Sequence, residues 1–272
     1  MKNKISVKDV LNAFHITERA RYEDIATLPR TLQKLASCQF NQGALEQVLI
    51  RRYALSHFFI GMLERMRDVI KNGEKGSSKI QGVERAHLLL AVTKNLQEEL
   101  GENEQYGGPH INSRINFLKH LGYDYDALYG SIGSFNNPIR SSVLTQREPY
   151  VEFINSVRDL FTCGGKDLGV AAVTVLWYWE NRISLGDELG DYCLLLNAFE
   201  KGRNGTGKTQ KEYKETEPFY HLWSHAKHDP FHAKDCRDPL SALPDEYAPL
   251  VAEICNRMRM LTDKYWEDIY PS

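Results

Sequence analysis

Residues 218–233 read PFYHLWSHAKHDPFHA, and three of them decide how the chain is read. His225, Asp229 and His232 follow one another at helical spacing. At about 100° of rotation per residue, an α-helix gathers these side chains within roughly 60° of one another on one face. His221 stands one turn earlier in the same register. Pro218 suits the first turn of a helix, where a backbone N–H has no partner in any case, so residues 219–234 are expected to be helical. Imidazoles and a carboxylate converging on one point suit iron, zinc or manganese. A solvated polar helix face is the competing interpretation, so the cluster needs partners elsewhere in the chain.

Working outward, residues 168–199 form the most apolar helix candidate, with an interruption near Gly186. Glu180 lies within it, and Val173, Leu176, Trp177 and Ile183 surround its carboxylate on the same helix face. A buried, unpaired carboxylate is costly. It must be protonated, bonded to a base or ligating a cation, unless an arginine pairs with it structurally.

Upstream, Leu45, Val48, Leu49, Tyr53, Leu55, Phe59, Ile60 and Leu63 recur at helical steps, which predicts one long amphipathic helix over residues 43–70. A second helix over residues 80–100 stops at Gly101. Glu98 and Glu99 occupy its last turn. Glu99 shares a face with Leu88, Val92 and Leu96 and is the inward candidate, whereas Glu98, nearer Lys94 and Asn95, stays an alternative. His110 follows a Gly-Gly-Pro turn able to bring it back toward that helix end. Further helices are expected over residues 111–121 and 150–162, with a loop over residues 130–149. Pro239 and Pro244 are expected to break the chain before a last helix over residues 247–269, and residues 1–42 should form an N-terminal arm or short helices. Alternating strand patterns are nearly absent, so the fold class is all-α.

With 272 residues and 42% hydrophobic content, the chain can bury a full core. Its 34 basic and 36 acidic residues give a net charge of −2 without a long basic run, which argues against a nucleic-acid partner. Cys38, Cys163, Cys193, Cys236 and Cys255 form no CxxC pair, so reduced thiols in a cytoplasm are expected. No stretch reaches the roughly 20 apolar residues that span a bilayer, and the N-terminus lacks a signal-peptide pattern; no membrane partner is expected.

Taken together, Asn95-Leu96-Gln97-Glu98-Glu99-Leu100-Gly101, then His110, then Glu180 in an apolar helix, then His225-xxx-Asp229-xx-His232-Ala233 resemble the haem-oxygenase-like diiron oxidases and oxygenases. The likeness covers about residues 43–235. It implies a haem-oxygenase-like bundle of about seven core helices, with residues 43–272 as one domain. It further implies two non-haem iron ions held by Glu99, His110, Glu180, His225, Asp229 and His232, with dioxygen as co-substrate. Such an enzyme would oxidise a small amine, amino-acid or fatty-acid-like molecule by N-oxygenation, desaturation or carbon–carbon cleavage. An external electron donor and a homodimer are compatible with that picture. The chain departs from the family in a hydrophilic insertion over residues 201–217 and in Pro230, which removes one backbone donor from the ligand helix.

Three other readings compete. Thiaminase-like and pyrroloquinoline-quinone-synthase-like relatives of the same fold act without metal. A non-catalytic helical interaction protein would pair Glu180 with an arginine and leave the histidines on the surface. Finally, Gly202 to Thr209 satisfies the Walker A pattern GxxxxGK[ST] with Lys208 as its lysine, but a P-loop joins a buried strand to a helix, and the residues that follow are wholly hydrophilic. A flexible loop is expected there.

Overall fold

Ser6 opens the first helix, α1 (Val7–Glu23), through a capping box in which its hydroxyl accepts from Asp9 N–H and the Asp9 carboxylate accepts from Ser6 N–H. A short helix, α2 (Arg30–Ala36), follows Pro29. Val7, Leu11, Leu32 and Leu35 are buried in the same apolar core as the rest of the chain. Residues 5–42 are thus built mainly of short helices, and they cover the bundle rather than extend from it. A computed structural model of the chain describes residues 5–72, 83–102, 110–141, 144, 149–162, 167–186, 188–204 and 212–270.

The long helix expected over residues 43–70 is two helices, α3 (Gln42–His57) and α4 (Phe59–Asn72). The periodicity continues across the junction, but the backbone ladder does not. Arg114 donates to the Ser56 carbonyl at 3.0 Å, and Phe58 N–H turns back to Leu55 O at 3.1 Å. A guanidinium inserted into the ladder is a recognised cause of a helix break, and apolar periodicity cannot reveal it.

Next come α5 (Val83–Glu99), α6 (His110–His120) and α7 (Tyr125–Tyr129). The loop that follows carries a minimal antiparallel hairpin, β1 (Gly133–Ser134) with β2 (Asn137–Pro138), pairing Gly133 with Pro138 and Ser134 with Asn137. Helices α8 (Pro149–Thr162), α9 (Leu168–Ile183), α10 (Asp191–Asn204), α11 (Tyr220–Ser241) and α12 (Ala248–Asp268) complete the described fold, which is all-α. Every residue from Val170 to Ile183 is buried. Helix α9 is the axis of the bundle, with α4, α5, α8, α11 and α12 packed around it.

Two prolines lie inside α11, and Pro239 does not end the helix as expected. It sits in the final turn beside an open groove, and the chain leaves the helix at Ala242, before Pro244. Pro230 is compensated more specifically. A proline at this position deprives the carbonyl four residues earlier, that of Ala226, of its helical donor. The Ser184 hydroxyl, at the C-cap of α9, donates to Ala226 O at 2.8 Å. Helix α11 therefore keeps its course through Pro230 because α9 supplies the missing hydrogen bond.

This compensation has a measurable signature. Ser184→Ala should destabilise the protein by about 1 kcal/mol, the scale of a partly buried carbonyl left without a donor. In a Pro230→Ala background, where the backbone N–H returns, the same substitution should cost much less. Urea denaturation of the two single variants and the double variant measures the coupling, and equal costs in both backgrounds would show that Ser184 does not serve Pro230.

Candidate metal centre

Four elements meet at the end of the bundle where α5 stops. Gly101, at φ +72°, ends α5 with its own N–H on Glu98 O at 3.0 Å and Glu102 N–H on Gln97 O at 2.8 Å. This paired closure needs a left-handed residue after the helix, which glycine adopts without a Cβ penalty. It fixes the last turn of α5, from which Glu98 and Glu99 both point inward. His110 is the first residue of α6, Glu180 comes from α9, and His221, His225, Asp229 and His232 line one face of α11.

All six residues expected as ligands are brought together, and none is more than 7% exposed. They form two groups, Glu99 with His110 and His225, and Glu180 with Asp229 and His232. Within each, one ligand atom per residue lies within 4.8 Å of the others. His110 Nδ1 is 2.9 Å from Glu99 Oε1. His225 Nδ1 is 2.8 Å from Asp229 Oδ1 and joins the two groups. His232 Nδ1 lies 3.4 Å from Asp229 Oδ1 and 3.7 Å from Glu180 Oε2.

Three further residues belong to the site. Glu98, the alternative to Glu99, is also buried, and its Oε2 lies 2.7 Å from His232 Nε2; both glutamates face the cluster because the closed last turn spreads them toward different partners. His221 stacks edge-on to His225 at 4.5 Å between ring centroids and shares a 3.2 Å hydrogen bond with Ser113. Its register with the cluster was visible in the sequence. Arg114 was not singled out, although its spacing of one helical turn from His110 was a usable signal; its Nη2 stands 3.6 Å from Glu99 Oε2.

Burial opposes charge on Glu99, His110, Glu180, His221, His225, Asp229 and His232, and the partners decide the outcome. For Glu180, desolvation dominates, with the neighbouring Asp229 adding to it, and its carboxyl rises to about 7. Desolvation likewise raises Asp229 to about 8. Glu99 is buried too, but the charge and hydrogen bond of His110, with Arg114 behind them, hold it well below the usual carboxylate range. His110 and His232 rise against desolvation because carboxylates face them. His221 and His225 are pushed well down by burial and by the other positive groups, so they remain neutral.

The donor set fits divalent metal ions. Carboxylates and neutral imidazoles are the ligands that iron, manganese and zinc accept. Glu99 Oε2 and Glu180 Oε2 are buried, and their nearest charged partners, Arg114 Nη2 at 3.6 Å and His232 Nδ1 at 3.7 Å, stand beyond hydrogen-bond distance, which leaves room for a cation to complete them. Glu98 and Glu99 also occupy a helix C-terminal turn, where the helix dipole disfavours negative charge. Two divalent ions would bring four positive charges to the four carboxylates.

The Walker A segment lies largely outside the described residues, Lys208 included. What precedes it is the helix α10 rather than a strand. Among the described residues no helix is long and apolar enough to cross a membrane. Comparison with family models, curated proteins and solved structures finds no match to this chain.

The raised carboxyls give a pH test. Glu180 and Asp229 titrate near 7 and 8 in the fold and near 4 in an unfolded chain, so the folded protein binds the extra protons. Their contribution to stability is complete below about pH 4 and is lost as the pH rises through 7 and 8. Raised His110 and His232 act in the same direction. Metal-free protein should therefore melt at a lower temperature at pH 9 than at pH 7. A divalent metal competes with these protons, so the rise in Tm on adding manganese or anaerobic ferrous iron should be larger at pH 8 than at pH 6. Differential scanning fluorimetry measures both, and a metal effect greater at pH 6 would contradict carboxylate ligation.

Proposed function

We propose that this chain is a non-haem diiron oxidase or oxygenase of the haem-oxygenase-like type, acting with dioxygen on a small amine, amino-acid or fatty-acid-like substrate. The observation that carries the reading is the pair of buried carboxylate–histidine groups joined through His225 and Asp229. Glu99, His110 and His225 would hold one ion, and Glu180, Asp229 and His232 the other, with Glu98 in reach of the second group. Bound there, two ferrous ions would supply the electrons that reduce dioxygen, with an external donor restoring them.

The protein's own groups have definable tasks. Arg114 fixes the Glu99 carboxylate and offsets part of the site's negative charge. Glu180 and Asp229 hold protons near neutral pH and would surrender them to ligate. Tyr53 and Tyr192, both buried, stand edge-on to the histidines at 5.1 Å from His221 and 5.3 Å from His225, and exclude bulk water from that side.

A second reading has an observation in its favour. His110 with Glu99 and His225 with Asp229 are hydrogen-bonded pairs, which can move protons without any metal, as a metal-free enzyme of the same fold would require. The non-catalytic alternative is less well supported: His225 and His232 are buried, and Glu180 faces His232 with no arginine in ion-pair range among the described residues.

Expression with supplemented iron, followed by metal analysis and oxygen-consumption measurements with a chemical reductant, should show close to two irons per chain and reductant-dependent oxygen uptake. His225→Ala should lose most of the iron and the uptake while keeping the helical circular dichroism of the parent, because removing one ligand typically costs metal affinity 10-fold or more but spares a core of this size. Wild-type protein that stays iron-free after supplementation would remove the diiron reading and leave the metal-free one.

A further inference from the structure

A cavity lies on the flank of the α9–α11 interface that faces α1. It measures about 230 Å³ and is walled by α1, α9 and α11, with His15, Trp177, Asn181, Leu185, Pro230 and Arg237 among its lining residues. At roughly 30 Å³ per water molecule in the liquid, this is about eight water volumes, enough for a small organic molecule. None of the six proposed ligands lines it.

The cavity has an apolar wall and an unevenly satisfied polar rim. Trp177, Leu185, Pro230 and Ala233 supply the wall. Asn181, itself 4% exposed, uses its Oδ1 on His15 Nδ1 at 2.7 Å, and its Nδ2 has no hydrogen-bond partner among the described residues. A buried amide donor left unpaired is rare in folded proteins and calls for an acceptor. Arg237 touches the neutral side-chain oxygen of Asn12, and no carboxylate lies within ion-pair range of it among the described residues. Lys234 also lines the cavity, where Asp238 pairs with it at 2.8 Å. With that pair cancelling, one guanidinium charge and one amide donor are left facing a wall of indole, proline and leucine.

We infer that this cavity binds a small amphipathic monocarboxylate, with the carboxylate between Arg237 and Asn181 Nδ2 and the apolar body against Trp177 and Pro230. A planar guanidinium matches a carboxylate in a forked, two-bond geometry, and an amide N–H completes the acceptor's needs. The single uncompensated positive charge suits a monoanion better than a phosphate dianion. The site stands independently of the metal centre, because it rests on side chains other than the six proposed ligands.

The experiment is isothermal titration calorimetry with phenylacetate as the probe, on protein as purified and on chelator-treated protein, since a carboxylate could also meet metal ions. One saturable site per chain is expected in both preparations. Arg237→Gln, at a partly buried position, should weaken binding tenfold or more while the protein keeps its cooperative melting transition. Asn181→Asp, which exchanges the donor for a carboxylate of the same shape, should abolish it. Uncharged 2-phenylethanol should bind at least tenfold more weakly than phenylacetate. Absence of saturable binding, unchanged affinity in Arg237→Gln, equal affinity for the alcohol, or binding seen only in metal-loaded protein would each overturn the proposal. Failure of the diiron reading would leave the calorimetric result as it stands.

Discussion

Glu98, Glu99, Glu180 and Asp229 are buried together in a helical core, and desolvating four carboxylates is a cost that apolar packing does not offset. Among the described residues the one permanent cation within ion-pair range of them is Arg114. The remaining compensation comes from imidazoles, from protons and, on the proposed reading, from metal. Much of the local architecture follows from this constraint. The α5 helix must end where Gly101 ends it for both glutamates to face inward. Arg114 reaches Glu99 while its other contact takes the Ser56 carbonyl, so the α3–α4 break belongs to the same arrangement.

The carboxylates are not equivalent. Glu99, backed by His110 and Arg114, is held ionised, whereas Glu180 and Asp229, deeper and close to each other, favour their protonated forms. One half of the cluster is thus charged on its own, and on the proposed reading the other half would become a ligand set only on losing protons. A first ion would meet the Glu99 group at low cost. Its positive charge would then depress the neighbouring carboxyls, so that occupancy of the two halves is coupled through electrostatics alone. The short His225–Asp229 contact bridges the halves.

The six buried candidates were legible in the sequence because helical spacing is a direct geometric code: four and seven residues bring His225, Asp229 and His232 to one face whatever else the chain does. Glu180 was legible for a different reason, as a charge amid apolar neighbours. What escaped has physical causes as well. The break at Phe58 depends on Arg114, a residue more than fifty positions away in sequence, and periodicity carries no record of such a contact. Pro239 reads as a helix breaker, yet it sits in the final turn of α11, beside an open groove, where almost no helix remains for it to break. Glu98 and Glu99 were treated as alternatives because adjacent residues diverge by about 100° on a helix, but partners approaching from two directions, His110 and His232, engage both.

Helix α9 also explains why the N-terminal segment matters to the site. Arg182, two residues beyond Glu180, points to the opposite side of α9, since two residues turn a helix by about 200°. There its guanidinium meets Asp263 at 2.8 Å, Asp191 at 3.5 Å and Glu18 at 3.9 Å. Arg21 ties Glu18 to Asp263, and Asp191 accepts from Tyr22 and from the Trp266 indole at 2.7 Å. Residues of α1, α9, α10 and α12 thereby close one network, buried at Glu18, Arg182 and Asp191 and partly exposed at Arg21 and Asp263. Buried ion pairs of this kind add little net stability, but separating one partner from the others leaves an uncompensated charge. A rotation of α9 that withdrew Glu180 from the histidines would pull Arg182 out of this network on the far side. The same helix is therefore held in register from both faces, and α1, one of the short helices that the sequence offers as an alternative to an arm, supplies through Glu18, Arg21 and Tyr22 part of the fixture that aims Glu180.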